Sequence, residues 1–321
     1  MNQLVYRVSL QISLFYRPVM RLGIIGQPCI DEIVAPDGTS GARSLGGIFY
    51  SYAAMDHFMR SSPNDTFMGL SWHSIPDENI LAPFINSLAR LEITPNFMTD
   101  ELTNRVRLIY DNDASRKEEC SIILPPLTIK EFSQADIGTL DGLFVNMISG
   151  FDLSLETLEW VRAHTYTHIH LDVHALILGD VSTRIGEARI PHGVRDWRRW
   201  LNCADTVQMN ELEARWFASP DLDSETKMIE AVRDSTVKAL VITRAERGAS
   251  CFLSDREFHI ESPPITVIDP TGSGDVFGSA FLYRLAQSQD YEVALAFAVR
   301  SASQNCELNG VTDWGLLNFA H

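Results

Sequence analysis

The stretch PITVIDPTGSGDVFGSAFLY, Pro264 to Tyr283, joins two periodicities. Ile265, Thr266, Val267 and Ile268 spell a short β-branched strand, and Phe277, Ala280, Phe281 and Leu285 then recur at helical spacing. Between them lies Asp269-Pro270-Thr271-Gly272-Ser273-Gly274-Asp275. Two glycines separated by one small residue let successive backbone N–H groups turn toward one point, and a helix starting there adds unpaired N–H groups and its positive dipole end. The product is an anion cradle. Asp275 falls in the first helical turn, where a loop built only to hold phosphate would present donors alone. A carboxylate there suits a loop that holds a phosphoryl group and also takes a proton from an attacking hydroxyl. Taken alone, G-x-G-D is more simply a tight turn with a capping aspartate.

Gly272, Gly274 and Gly278 also approach a dinucleotide fingerprint, but the chain continues into a second helix around Glu292 to Ser303, with no clear strand ending in an acidic residue. A nicotinamide-dependent oxidoreductase therefore has little support. No Gly-Lys pair occurs, so a Walker loop is absent.

Composition sets outer bounds. The 321 residues suit one large α/β domain or two smaller ones, and 45% apolar content is ample for a core. A formal charge of −16 argues against nucleic acid or an anionic membrane surface as partner, so an anionic ligand needs a pocket built locally. Five dispersed cysteines without a C-x-x-C pair suggest reduced thiols in a cytoplasmic protein. No apolar run has the roughly 20 residues of a membrane helix. Residues 1–19 alternate apolar and polar without the centre of a secretory signal, and read as an extension outside the core or as an extra strand.

Asp269 to Asp275 followed by Phe277 resembles the C-terminal signature of the ribokinase-like (PfkB) family of sugar and nucleoside kinases, D-[TX]-T-G-A-G-D-x-F, with Ser273 for the usual alanine. The resemblance implies a three-layer α/β/α sandwich with a mostly parallel central sheet, spanning 20–321, and a small β-lid from segments about 32–44 and 96–122. It implies ATP and Mg²⁺ as cofactors and leaves a monovalent cation and a lid-mediated homodimer open. It makes Asp275 the base, with Gly272, Ser273 and Gly274 donating to the phosphoryl group and Thr271 lining the nucleotide site.

Further motifs fit the same order. Gly26 to Asp31 matches G-x-x-x-x-D, which implies that Asp31 binds substrate hydroxyls; a turn aspartate is the alternative. Gly46 and Gly47 match G-G-x-x-x-N and imply close contact with a sugar, with Ser51 in place of the asparagine. Residues 103–110, TNRVRLIY, alternate as an exposed strand whose Arg105 and Arg107 share a face that could touch substrate or solvent. Asn210 and Glu213 match N-x-x-E, which implies a role in placing Mg²⁺ and the phosphates, often through water, although helix capping alone would explain them. Thr243, Arg244 and Gly248 resemble the V-T-x-G-x-x-G nucleotide turn, with Ala245 where glycine is usual. Asn305 is the candidate beside the adenine.

Leu143–Ile148 and His168–His174 read as core strands of a βαβ array. His168, His170, Asp172 and His174 share one face at period two, a metal-ligand row or ordinary core-edge histidines. A helix is expected over Phe84 to Leu91. The reading is an ATP-dependent kinase acting on a hydroxymethyl or other hydroxyl group of a sugar or nucleoside; the alternative is a non-catalytic binding protein on the same fold.

Overall fold

The computed structural model describes residues 19–316, apart from 36, 95–96, 111–115, 179–185 and 187–188. The expectation for the leading extension thus falls, except for Val19, outside the described residues.

The strands run β1 (Arg21–Ile25), β2 (Pro28–Val34), β3 (Ser40–Gly47), β4 (Thr66–Leu70), β5 (His73–Ser74), β6 (Leu91–Ile93), β7 (Met98–Thr99), β8 (Asn104–Tyr110), β9 (Arg116–Ile122), β10 (Gly142–Asn146), β11 (His168–Asp172), β12 (Thr206–Asn210), β13 (Ala239–Thr243), β14 (Ala249–Phe252) and β15 (Glu257–Ile260). Nine of them form one sheet in the order β15-β14-β13-β12-β11-β10-β1-β4-β6, parallel except where β14 and β15 turn back. Strands covered on both faces become continuous apolar runs, as in GLFVN of β10, whose five residues are all buried. Alternation sends Leu143 and Val145 into one core cluster and Phe144 into the other. The helices Ile48–Phe58, Ser273–Ser288 and Tyr291–Asn305 cover the second face, and Leu155–Ala163, Trp197–Asn202 and Glu225–Arg233 the first. This is the expected three-layer α/β/α sandwich.

A smaller sheet, β3-β2-β8-β9, rises where β1 passes through Gly26 and Gln27 into β2. Gln27 is wholly buried at that junction. Its Nε2 donates to Pro125 O (2.8 Å), its Oε1 accepts from Asn104 Nδ2 (2.9 Å), and its N–H donates to Asp152 Oδ1 (2.8 Å). Asn104 Oδ1 in turn accepts from Leu124 N (2.5 Å). One side chain thereby ties together the chain entering β2, the start of β8 and the exit from β9. Burial pushes the Asp152 carboxyl up to about 6 against the donors that surround it.

Two local expectations need correction. Residues 264–268 form no strand, because Pro263 and Pro264 lack N–H donors and the N–H groups of Ile268 and Asp269 both turn to Cys306 O. Val267 and Ile268 are consequently exposed. The helix placed over 84–91 is Glu78–Ile85 instead, with Pro83 inside it. Among the described residues no helix is long and apolar enough to cross a membrane.

Candidate active site

The glycine loop and the small sheet face each other across a cavity of about 200 Å³. Gly272 caps the helix Ser273–Ser288 with φ 75°, and a Cβ there would lie 2.2 Å from the Tyr50 ring, so only glycine lets the loop close over that ring. The Ser273 N–H closes on Pro270 O (3.2 Å) and its hydroxyl donates to the same carbonyl (2.7 Å). The cradle therefore rests chiefly on Gly272 and Gly274, at a helix mouth whose first-turn N–H groups lack intrahelical acceptors. Thr271 donates its N–H to Asp269 Oδ1 (2.9 Å), and its buried Oγ1 has no hydrogen-bond partner among the described residues.

Asp275 lines the cavity, and its Oδ1 accepts from Asn146 Nδ2 at 2.7 Å. Beside it, Gln208 Nε2 bridges Asp172 Oδ2 (2.7 Å) and Gly274 O (3.0 Å). Burial, then Glu213 and Asp275, hold the Asp172 carboxyl well above the carboxylate range, while His174 works the other way. His174 Nδ1 meets Glu213 Oε1 at 3.2 Å. Burial pulls its imidazole down, but the Glu213 hydrogen bond and charge, helped by Asp172 and Glu118, prevail and raise it to about 10. His174 exposes 38% of its side chain, so solvent screens part of that attraction.

Asp31 and Gly47 also line the cavity. Gly46 supports Asp31 from behind, since a Cβ on Gly46 would lie 1.8 Å from Asp31 Oδ2. Cys29 Sγ donates to Asp31 Oδ1 (3.0 Å).

Other expected site residues sit elsewhere. Ser51 is fully buried beneath Asp275, donating to Asp275 O (3.3 Å) and accepting from Asn146 Nδ2 (3.2 Å), and it does not reach the cavity. Arg107 pairs with Glu119 (3.1 Å), and Arg105 with Asp77 (2.7 Å); both lie on the outer face of the small sheet, while Asn104, Val106 and Leu108 face inward. The register explains this, because alternate residues of a strand point to opposite faces. Arg244 is held by Glu211 (2.7 Å), Glu225 (2.5 Å) and Ser250 Oγ (3.0 Å), so its guanidinium is already engaged by carboxylates. Asn305 is buried and donates to Thr271 O (2.8 Å) while accepting from Trp314 Nε1 (2.9 Å), which makes it a brace for the glycine loop. Thr243 contacts Met209 O (3.4 Å), and Gly248, at φ 86°, lets Ile260 O approach.

Asn210 and Glu213 form a complete capping box, with Asn210 N–H and Nδ2 each 2.7 Å from a Glu213 oxygen. The histidine row does not converge. His168 and His170 both meet Thr206 Oγ1 (3.0 and 2.8 Å), and burial lowers them to about 4 and about 3. Among the described residues no group of three or more His, Cys, Asp or Glu is arranged to hold a metal ion.

Four cavity or near-cavity residues were not singled out from sequence. Asn146 ends its parallel strand, the usual place for site residues in such sheets, and that rule is the signal that points to it, whereas Gln208 sits in the middle of β12. Glu118 shares the inward phase of β9 with Cys120 and Ile122. Arg189 carries no local signal.

Comparison with known proteins bears on the fold and on the C-terminal sequence pattern. Residues 185–315 match the model of the pfkB family carbohydrate kinase. A ribokinase of Bacillus subtilis (strain 168) is 42% identical over 64 residues, 20% of this chain and 22% of that protein. A deoxyribokinase of Salmonella typhi is 29% identical over 97 residues, 29% of this chain and 32% of that protein. The chain thus matches between about a fifth and a third of the length of these curated relatives. Among solved structures, a pyrophosphate-dependent kinase in the ribokinase family superposes with TM-score 0.74 at 15% identity, covering 93% of this chain and 100% of that one. A nucleoside kinase of Burkholderia thailandensis in complex with inosine gives 0.67 at 18% identity, covering 92% and 93%. The fold is that of the ribokinase-like structures, and residues 185–315 carry the sequence pattern of the pfkB family carbohydrate kinases.

Proposed function

We propose that this protein is a phosphotransferase that moves the terminal phosphoryl group of ATP onto a hydroxyl of a sugar or nucleoside. The observation that carries the reading is the position of Asp275, a cavity-lining carboxylate oriented by Asn146 at the same helix mouth as the Gly272 and Gly274 amides. In the reaction, Asp275 takes the proton from the acceptor hydroxyl as its oxygen bonds to phosphorus. The bond between phosphorus and the bridging oxygen breaks, and the electron pair leaves with ADP. The glycine amides donate to the transferring group, and the small sheet over the cavity limits access of water.

Two features support a nucleotide at the loop: Gly272 and Gly274 line the cavity at the helix mouth, and the exposed apolar pair Val267 and Ile268 beside it offers a base a surface to cover. Both oxygens of Glu213 are already hydrogen-bonded, so Asn210 and Glu213 would hold Mg²⁺ through water. The ion supplies neutralisation of phosphate charge when bound. Arg107 and Ser51 are left out of this acceptor site. Pyrophosphate is the alternative donor, favoured by the pyrophosphate-dependent kinases among the structures of similar fold.

The test is Asp275→Asn, assayed over a panel of sugars and nucleosides with ATP and with pyrophosphate. Turnover should fall by roughly 10²–10⁴, the effect of losing a general base, with the unfolding temperature unchanged. Full activity in that variant removes Asp275 from the chemistry. A parent protein that binds panel members without ADP or phosphate release is a binding module.

A further inference from the structure

Resting on the phosphotransferase reading, we propose that Glu118, braced by Arg189, is a specificity-determining residue. It reads the acceptor from the side opposite Asp31 and restricts the site to uncharged polyols. Asp31 on β2 pairs with Val106 on β8, and Glu118 on β9 pairs with Leu108 on β8, so one strand separates the two carboxylates on the inner face of the small sheet. Two strand spacings of about 4.7–4.9 Å put their backbones on the order of 10 Å apart, a span that a single sugar-sized ring bridges with hydroxyls at both edges. Val106 and Leu108 form the apolar surface between them.

Arg189 sets the charge of that wall. Its side chain is only 5% exposed; NH2 donates to Ser149 O (2.7 Å) and lies 3.4 Å from Ala175 O, while NH1 lies 3.9 Å from Glu118 Oε2. Its backbone N–H donates to Glu118 O (3.2 Å), so one residue fixes both the strand and the carboxylate. With NH2 committed to protein carbonyls and NH1 facing Glu118, the guanidinium does not present a two-pronged fork to a ligand anion. Among the described residues, Asp31, Glu118 and Asp275 line the cavity together with Asp172, whose carboxyl burial holds toward its neutral form, beside two basic side chains, Arg189 and His174. An acceptor with a second phosphate or a carboxylate meets repulsion from Glu118, whereas a polyol supplies the O–H donors that carboxylates require. The cavity of about 200 Å³ also falls below the roughly 300–1,000 Å³ of drug-sized sites, which favours one ring over a nucleoside.

The test is Glu118→Gln, which keeps shape and removes charge. Binding of ribose, fructose, myo-inositol, inosine, gluconate and fructose 6-phosphate is measured by calorimetry without donor, and KM and kcat are then measured with donor. A neutral polyol should bind the parent best. The variant should bind it roughly 10–100-fold more weakly, the effect of losing a hydrogen bond to a charged group, with KM changing more than kcat. Discrimination against fructose 6-phosphate and gluconate should narrow. Arg189→Lys, which keeps the charge and loses the fork, should give a smaller shift of the same sign. Unchanged affinity and unchanged discrimination in Glu118→Gln overturn the assignment, as does a parent that binds no polyol or prefers inosine or an anionic sugar. Glu118-dependent polyol binding without phosphoryl transfer would retain this assignment and reject the phosphotransferase reading.

Discussion

Asn146 Nδ2 donates to Asp275 Oδ1 across 2.7 Å, joining the C-terminal end of β10 to the first turn of the helix Ser273–Ser288. The same nitrogen reaches Ser51 Oγ at 3.2 Å, and the buried Asn146 Oδ1 has no hydrogen-bond partner among the described residues. In the proposed reaction this donor orients the Asp275 carboxylate, and removing it loosens that orientation although the charge remains. Asn146→Leu should therefore lower kcat by roughly tenfold to a hundredfold while acceptor KM changes little. Steady-state kinetics check this, and a variant with parental kcat would show that Asp275 is oriented by other contacts.

Ser51 occupies a family asparagine position yet is packed under Asp275 with no exposed surface. Restoring the larger side chain, Ser51→Asn, should overpack that space and destabilise the protein by about 1–3 kcal/mol. Urea unfolding measures the loss, and kcat should drop with it because Asn146 is displaced. Parental stability would mean that the space under Asp275 has room for an amide.

Legibility in the sequence followed the range of the forces. Glycine geometry is local, so the loop at Gly272 and Gly274 and the helix after it were readable, as were the continuous apolar runs of β10 and β13. The expected strand before the loop failed because the prolines and the Cys306 carbonyl, 37 residues downstream of Asp269, settle where those amides point. Alternation in β8 divided Arg105 and Arg107 from Val106 and Leu108, but only the sheet's placement decides which set faces the cavity. Asn146, Gln208 and Glu118 reach the site from three separate strands, and no spacing within one segment encodes that meeting.

Ala245 stands at a glycine position of the turn after β13 and adopts φ 49°. Left-handed backbone costs an L-residue roughly 1–2 kcal/mol, whereas glycine loses about 0.5–1 kcal/mol in unfolded-state entropy. Ala245→Gly should therefore leave stability unchanged or raise it by up to about 1.5 kcal/mol. Ala298, buried within the helix Tyr291–Asn305, is the control: the same substitution there should destabilise by about 1 kcal/mol or more. Urea unfolding of both variants checks the contrast, and a clear loss at Ala245 would remove the strain argument.

His170 is wholly buried between the rings of Phe144 and Phe281, with centroids 5.4 and 5.0 Å away, and it bonds Thr206 Oγ1 (2.8 Å) and Gln208 Oε1 (3.2 Å). Burial lowers its pKa to about 3 against the opposing Gln208 hydrogen bond. Unfolding returns it to about 6.5, so below that pH the unfolded chain binds the proton that the native state refuses, and stability falls as pH falls. From pH 6.5 to 5 the loss from this one group amounts to about 2 kcal/mol. His168, lowered to about 4, adds in the same direction, whereas Asp152, raised to about 6, opposes both because the native state takes up its proton first. Comparison with a variant isolates the one term. His170→Gln removes the titration and retains an amide for Thr206, so its stability should decline less than the parent's between pH 7 and 5, by about 2 kcal/mol in urea unfolding. Equal declines in the two proteins would show that the imidazole is protonated in place, and would reopen the question of what the strand's histidines bind.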